Sequence, residues 1–432
     1  MKIKIIGAGL AGCEAAVFLS EHGVKVELYD IKPKSLTPAH KDKNFGELVC
    51  SNSLKGKDAY SNACGLLKEE MRVIGSLMLE AAEKTSVPAG GALAVEREAF
   101  SEYITERIKS DSNITVVCEE VKKVPEEWSI VATGPLTTDT LSGNIRDICG
   151  GQLYFYDASA PIITRESLDF GECFYGDRYG RGGDDYINCP LNKEQYENFV
   201  DALICADKVI LHDFEKRDIF EGCMPVEVLA GRGKDSLRFA MLKPVGLKDG
   251  QGNKYYAVLQ LRKENAEGTS YNLVGCQTNL KFGEQKRVFS MIPALKNAEF
   301  LRYGVMHRNT FINSPSCLNS DFSLKNKPSV FFAGQITGVE GYVESAASGL
   351  LAAVHLYTKL NGKKPVIPDC TTVLGALSAH ISNATQNFQP MNANFGILAP
   401  LEKHIRDKKQ RYCALAERAI ENIKIYKAES GL

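Results

Sequence analysis

Residues 1–30 restrict the possible folds of this chain more than any other stretch. Lys2-Ile3-Lys4-Ile5-Ile6 is a short buried-strand pattern, Gly7-Ala8-Gly9-Leu10-Ala11-Gly12 follows at once, and Ala15, Ala16 and Leu19 recur behind it at helical spacing. Strand, glycine turn and helix in that order predict a parallel α/β unit whose turn cradles the pyrophosphate of a dinucleotide. Gly7 permits the tight turn, Gly9 lets the backbone approach the phosphates, and Gly12 lets the helix lie close to the strand. Ala8, Leu10 and Ala11 complete the cradle, where the helix N-terminus offers its N–H groups to the anion. A second strand, Val24 to Tyr29, ends at Asp30, the distance at which a carboxylate accepts hydrogen bonds from the adenosine ribose. A glycine loop in an unrelated βα unit has no need of that acid.

Composition narrows the class. A chain of 432 residues that is 44% hydrophobic can bury a large core and is expected to form two domains. A net charge of −1 provides no global field for nucleic acid, so RNA binding requires a local basic patch. The thirteen cysteines are odd in number and none has C-x-x-C spacing, which argues against a metal site and against a secreted disulfide framework. The N-terminus begins a strand rather than a secretory signal, and nowhere do about eighteen apolar residues run together. A cytoplasmic protein with no membrane segment is expected.

Beyond Asp30, a polar stretch from Ile31 to Asn44 leads to Glu47-Leu48-Val49-Cys50-Ser51-Asn52-Ser53-Leu54-Lys55-Gly56, a loop of functional length. Helical periodicity spans 63–84 and resumes through Phe100, Ile104 and Ile108. Ile114–Cys118 reads as a strand and Ser129-Ile130-Val131-Ala132-Thr133-Gly134-Pro135 as a buried strand broken by a turn, whose Ala-Thr-Gly end often completes the nucleotide domain of flavoproteins. Aromatic, strand-like segments at 152–156, 186–189, 255–261 and 271–277 then suggest an inserted mixed domain. The apolar strand Ser329–Ala333 returns to the first sheet, followed by Gly334 to Tyr342 and a small-residue helix from Glu344 to about Leu360. The last segment, 397–426, is amphipathic and basic around Lys403 to Arg411, which suits either a solvated face or contact with an RNA backbone.

The second glycine-rich strand-to-helix junction selects the cofactor class. Gly334, Gly338, Gly341 and Gly349, with Tyr342 at the junction, bring N–H groups and a positive dipole end close to something anionic, as the N1–C2=O edge of a reduced flavin would be. Together with Gly7 to Gly12 and the Gly134 turn this points to FAD; a structural turn needed only for close packing is the alternative.

The stretches 48–56, Gly90–Val95, Tyr179–Pro190, Phe220–Glu227, Lys243–Leu247, Gln277–Val288 and Phe300–Pro315 resemble the folate- and FAD-dependent tRNA (uracil-5-)-methyltransferases of the TrmFO family over nearly the whole chain. The GidA (MnmG) enzymes, more distant, share the flavin motifs and a Cys-Asn loop but continue into a longer C-terminal helical extension. Gly231 and Cys276 depart from the family pattern. The resemblance implies a glutathione-reductase-like FAD domain, 1–150 and 315–432, interrupted by a substrate and RNA domain, 151–314. It also implies the reaction: methylenetetrahydrofolate supplies a methylene to carbon 5 of the T-loop uridine at position 54 of tRNA, and NADH or NADPH supplies the electrons that make it a methyl group.

Uracil carbon 5 is a poor nucleophile until a thiolate adds at carbon 6, and a base must later remove the carbon-5 proton. Cys50, among Ser51, Asn52 and Ser53, and Cys223, in a Glu-Gly-Cys-Met-Pro turn, are the polar-flanked thiols, whereas Cys118 and Cys205 sit in apolar runs. The resemblance turns these two into catalytic residues, with Cys50 expected as nucleophile and Cys223 as base; the reverse assignment stays open. Arg178 and Arg181 in the 178–185 loop suit a phosphate, the folate glutamate tail or a plain surface loop. Lys281, Lys286, Arg287, Arg302, His307 and Arg308 supply basic groups near aromatic ones, as an RNA loop with unstacked bases requires. A ribosomal RNA methylase on the same scaffold, an NAD(P)H flavin oxidoreductase for a small molecule, and a flavin-bound RNA-binding module are the competing functions. The last two have no need of paired loop thiols. No obligate protein partner is evident.

Overall fold

A computed structural model describes residues 2–37, 39–180, 183–209, 224–383 and 388–432, and their side chains except those of 152–157 and 307–308. Five parallel strands form the first sheet, in the spatial order Val330–Phe332, Ser129–Val131, Lys2–Ile6, Lys25–Asp30, Ile114–Cys118. The order reverses between Lys2–Ile6 and Ser129–Val131, and in open α/β sheets ligands bind beyond the carboxyl ends of the strands at such a reversal. Ile3, Ile5, Ile130 and Phe331 are fully buried, as strands covered by helices on both faces require.

Two helices, Leu10–Glu21 and Tyr342–Leu360, cross closely on this sheet. A Cβ on Gly12 would lie 1.8 Å from the Gly7 carbonyl oxygen, and one on Gly349 would lie 2.2 Å from that of Ala11. Glycine at these two positions is therefore a condition of the packing. Gly338 (φ +86°) and Gly341 (φ +120°) adopt left-handed conformations, and the helix expected from Glu344 begins two residues earlier, at Tyr342, directly after Gly341.

The helical pattern over 63–84 is two helices, Ala63–Ile74 and Leu77–Lys84, because Gly75 (φ +113°) stops the first and Ser76 accepts a hydrogen bond from Leu79 N at 3.4 Å to start the second. The start of the second helix is also held by buried Glu14, which accepts from Leu77 N and Met78 N at 3.1 and 2.9 Å. Glu70 does the same for the helix Val373–Ser382, accepting from Val373 N and Leu374 N at 2.7 and 2.8 Å. Burial pushes these carboxyls up, Glu14 to about 7 and Glu70 to about 8, and the N–H donors oppose that rise.

A second, antiparallel sheet runs Phe174–Tyr175, Tyr186–Leu191, Ala257–Lys263, Ser270–Leu273, Ile162–Thr164, Phe300–Arg302 over its own core of Tyr196, Phe199, Leu261 and Phe289. The strand expected at 271–277 stops at Leu273 because Gly275 is left-handed (φ +77°). The helix Lys193–Cys205, opened by an Asn192/Gln195 capping box and buried along Tyr196, Phe199, Val200 and Leu203 at helical spacing, was missed by sequence reading. Gln152–Ala158 and Met306–Ile312 pair as an antiparallel ribbon. In the last segment the helix spans only Lys408–Ser430, since Pro400 interrupts the earlier part and Asp407 accepts from Gln410 N at 2.8 Å to cap a new start. Among the described residues no helix is long and apolar enough to cross a membrane, and no cluster of three His, Cys, Asp or Glu side chains is arranged to hold a metal ion.

Candidate active site

The carboxyl ends of the parallel strands open into one cleft. Gly7 to Ala11 and Asp30 line one part, Thr133 to Thr137, with Gly134, another, and Gly334, Gln335, Tyr342 and Ser345 the far end. Gly12, Gly338 and Gly341 lie outside the lining. Gly12 lets its helix lie against the Gly7 carbonyl at the end of the strand, and a Cβ on Gly338 would strike the Phe388 ring at 2.5 Å.

A dinucleotide fits this cleft on one telling observation. Gly9 has an ordinary φ of −76°, and a Cβ built on it meets no protein atom within 4 Å. Nothing in the chain itself demands glycine there, so what a side chain would obstruct is the cleft. Asp30 is held by Ala8 N at 2.6 Å and Lys32 N at 2.8 Å, one on each carboxylate oxygen. Each oxygen retains capacity to accept another hydrogen bond.

Cys50 sits beside the Tyr342 end. The Tyr342 hydroxyl accepts from Cys50 N at 2.6 Å and from Ser51 N at 3.2 Å, while its ring lines the cleft. Burial, reinforced by the neighbouring Cys50, pushes this phenol well above its usual value. Three guanidiniums hold the loop from behind. Arg97 donates to Leu48 O at 2.7 Å and Cys50 O at 3.1 Å, and Arg302 donates to Val49 O. Arg262 donates to Asn52 Oδ1 at 2.9 Å and Ser51 Oγ at 2.8 Å. Burial opposes the charge on Arg97, but the Glu264 carboxylate at 2.7 Å outweighs it and holds the group above its ordinary value. Arg302 has no such partner among the described residues, and burial followed by the charge of Arg97 lowers it. Asn52, fully buried, donates to Val95 O and Lys263 O and so stitches the loop to two strands.

Cys223 and Arg181 lie outside the described residues, as do the side chains of His307 and Arg308. The residues just after Cys223 are nevertheless firmly anchored. Val226 N donates to Gln277 O at 2.7 Å, and Glu227 accepts from Thr278 Oγ1 at 2.9 Å and Asn279 N at 2.8 Å. Thr278 N in turn donates to Ser159 O at 3.2 Å, next to Ala158, whose carbonyl faces Cys50 Sγ at 3.8 Å. An unbroken frame thus joins the Cys50 loop to the start of the helix that follows Cys223.

Other candidate groups are engaged within the protein. Arg178 donates to Gln260 Oε1 and Val245 O, Lys281 pairs with Asp207, and Arg287 pairs with Glu284. Sequence reading missed Arg97, Arg262 and Glu264. Arg262 left one signal, a guanidinium next to the mostly apolar run Ala257–Leu261 of a strand.

Residues 2–364 match the family model described as glucose inhibited division protein A. A "Methylenetetrahydrofolate--tRNA-(uracil-5-)-methyltransferase TrmFO" of Acetivibrio thermocellus is 55% identical over 428 residues, 98% of each chain. A protein of the same name from Staphylococcus aureus is 53% identical over 429 residues, again 98% of each. Among solved structures, GidA of Aquifex aeolicus has the same fold, with a TM-score of 0.72 at 15% identity over all of this chain and 74% of that one.

Proposed function

From the premise that this chain belongs to the TrmFO methylenetetrahydrofolate–tRNA-(uracil-5-)-methyltransferases, within the wider glucose inhibited division protein A family, we propose that it methylates carbon 5 of the T-loop uridine at position 54 of tRNA with a folate-derived carbon. FAD bound in the cleft supplies the two-electron chemistry that moves the methylene and completes it as methyl, with NADH or NADPH as the electron source. The residues that would hold it are Gly7 to Ala11 at the pyrophosphate, Asp30 at the ribose, and Gly134, Gly334 and Tyr342 around the ring end, while Gly12, Gly338 and Gly341 shape the turns behind them.

The chain's own part is to prepare the uracil. Cys50 as thiolate adds to carbon 6, which places enolate character on carbon 5, and Cys223 takes the carbon-5 proton so that the Cys50 bond to carbon 6 can break. Positive charge from Arg97, Arg262 and Arg302 behind the loop suits a thiolate. The observation that carries this reading is the Tyr342 hydroxyl: one group belongs to the cleft and holds the backbone N–H of Cys50 at 2.6 Å. Two separate cores, one from residues 3–149 and 312–426 and the other from 163–298, support a discontinuous cofactor domain, 1–150 and 315–432, around an inserted RNA domain, 151–314. The cytoplasm, where tRNA and reduced nicotinamide are at hand, is the compartment this reaction requires.

Labelled methylenetetrahydrofolate, tRNA transcript and NADH or NADPH should yield labelled 5-methyluridine, and omission of the nicotinamide should abolish it. Label arriving from S-adenosylmethionine without folate overturns the reading.

A further inference from the structure

Three aromatic rings form a column at the surface of the second sheet. Tyr303 stacks on Phe300 with centroids 5.2 Å apart and planes 5° apart, and on Phe282 at 4.8 Å and 15°. Phe282 is 54% exposed, so the column ends in an aromatic face open to solvent. An ordinary exposed phenylalanine needs no explanation; a parallel stack with an open end plate has the geometry on which an unstacked nucleobase rests.

The column shares the frame that holds Cys50. Gln285, fully buried, donates to Leu280 O at 2.7 Å and Gly304 O at 2.8 Å and accepts from Gly304 N at 2.8 Å, locking the helix Phe282–Phe289 to the residue after Tyr303. On the other side of the stack Arg302, between Leu301 and Tyr303, reaches the Val49 carbonyl beside Cys50. Thr278, four residues before Phe282, bonds to Ser159, next to the carbonyl that faces Cys50 Sγ. Charge suits a polyanion here: Lys281 and Arg287 carry partners in Asp207 and Glu284, while exposed Lys286 has no ion pair among the described residues.

We propose that the open face of Phe282 is a stacking platform for an unpaired base of the RNA substrate, a neighbour of the base that reacts at Cys50. The platform grips a displaced base and so holds the RNA loop open while carbons 5 and 6 of the target are exposed. This rests on the RNA-methylating function proposed above.

The test uses the full-length protein with bound FAD and a tRNA transcript, with dissociation constants read by fluorescence anisotropy. Phe282→Ala should keep its flavin absorbance and melting temperature and weaken tRNA binding roughly 5- to 150-fold, the range of one lost base–aromatic stack. Phe282→Trp should bind at least as well as wild type, and Phe282→Leu, apolar but not planar, should bind like the alanine variant. The dependence of affinity on salt should keep its slope in Phe282→Ala and lose about one ion in Lys286→Ala. Binding by Phe282→Ala within twofold of wild type overturns the proposal. So does a leucine variant as tight as wild type, or a change in light-scattering mass with unaltered RNA binding, which would make the column a contact between copies of the chain. If wild type neither binds nor methylates tRNA, the functional reading fails first; if wild type does both and Phe282→Ala is unchanged, only the platform fails.

Discussion

Replacing Tyr342 with phenylalanine removes one oxygen atom and keeps the ring that lines the cleft. That oxygen accepts two backbone hydrogen bonds, from Cys50 N at 2.6 Å and Ser51 N at 3.2 Å. A neutral hydrogen bond contributes about 0.5–1.5 kcal/mol net, so the pair amounts to about 2 kcal/mol, with the shorter bond the larger share. Arg97, Arg262, Arg302 and Asn52 still hold the loop on its other sides, so the fold survives. The loss falls on how often Cys50 occupies its place at the cleft. With every ~1.4 kcal/mol worth a factor of ten, Tyr342→Phe should methylate tRNA more slowly by up to about 30-fold and melt at most a few degrees lower, while keeping full FAD content. Cys50 should also be alkylated faster by iodoacetamide, as read by peptide mass spectrometry. A methylation rate within twofold of wild type refutes the reasoning, and so does lost activity that merely tracks lost FAD.

Gly9→Val should purify colourless and melt like FAD-stripped wild type, because its side chain enters only the cleft; a Gly9→Val variant with full FAD content sinks the assignment of that turn. Gly349→Ala should lower the melting temperature instead, at a cost of about 1–3 kcal/mol or more, since its Cβ would lie 2.2 Å from Ala11 O. Cys50→Ala and Cys223→Ala should each keep FAD and lose at least about a hundredfold in rate, and only the variant that retains the nucleophile should form a covalent adduct with 5-fluorouridine tRNA; near wild-type turnover by either ends the two-thiol mechanism. Glu70, raised by burial to about 8, binds its proton more tightly in the native than in the unfolded chain, so stability should fall as pH rises from about 4.5 to 8, by at most ~1.4 kcal/mol per unit, and Glu70→Gln should flatten that slope in urea titrations.

The parallel sheet and its cleft were legible because each depends on local pattern: an apolar run, then glycines where a Cβ would collide with backbone. Gly12 and Gly349 announce close packing in sequence, and Asp30 follows its strand at a fixed interval. The break at Gly75-Ser76 is written in the sequence as a glycine followed by a capping serine, though the apolar periodicity runs on either side of it. What binds Cys50 was not legible. Tyr342, Arg97, Arg262 and Arg302 come from four distant places in the chain, and no local spacing says that they meet at residues 48–52. The rings of Phe282, Phe300 and Tyr303 stack only because buried Gln285 ties a helix to a strand end, a contact made in space alone.

The crossing of Leu10–Glu21 with Tyr342–Leu360 also bears on how the protein is made. The floor of the cleft leaves the ribosome first, while its far wall, Gly334 to Ser345, emerges only after the whole antiparallel sheet. A nascent chain of 300 residues therefore carries an open edge at Ser129–Val131, where Val330–Phe332 has yet to dock, and holds only part of a cofactor site. The late strand reaches the early one only across the intervening residues, so a complete cofactor site reports that these two distant parts of the chain have met.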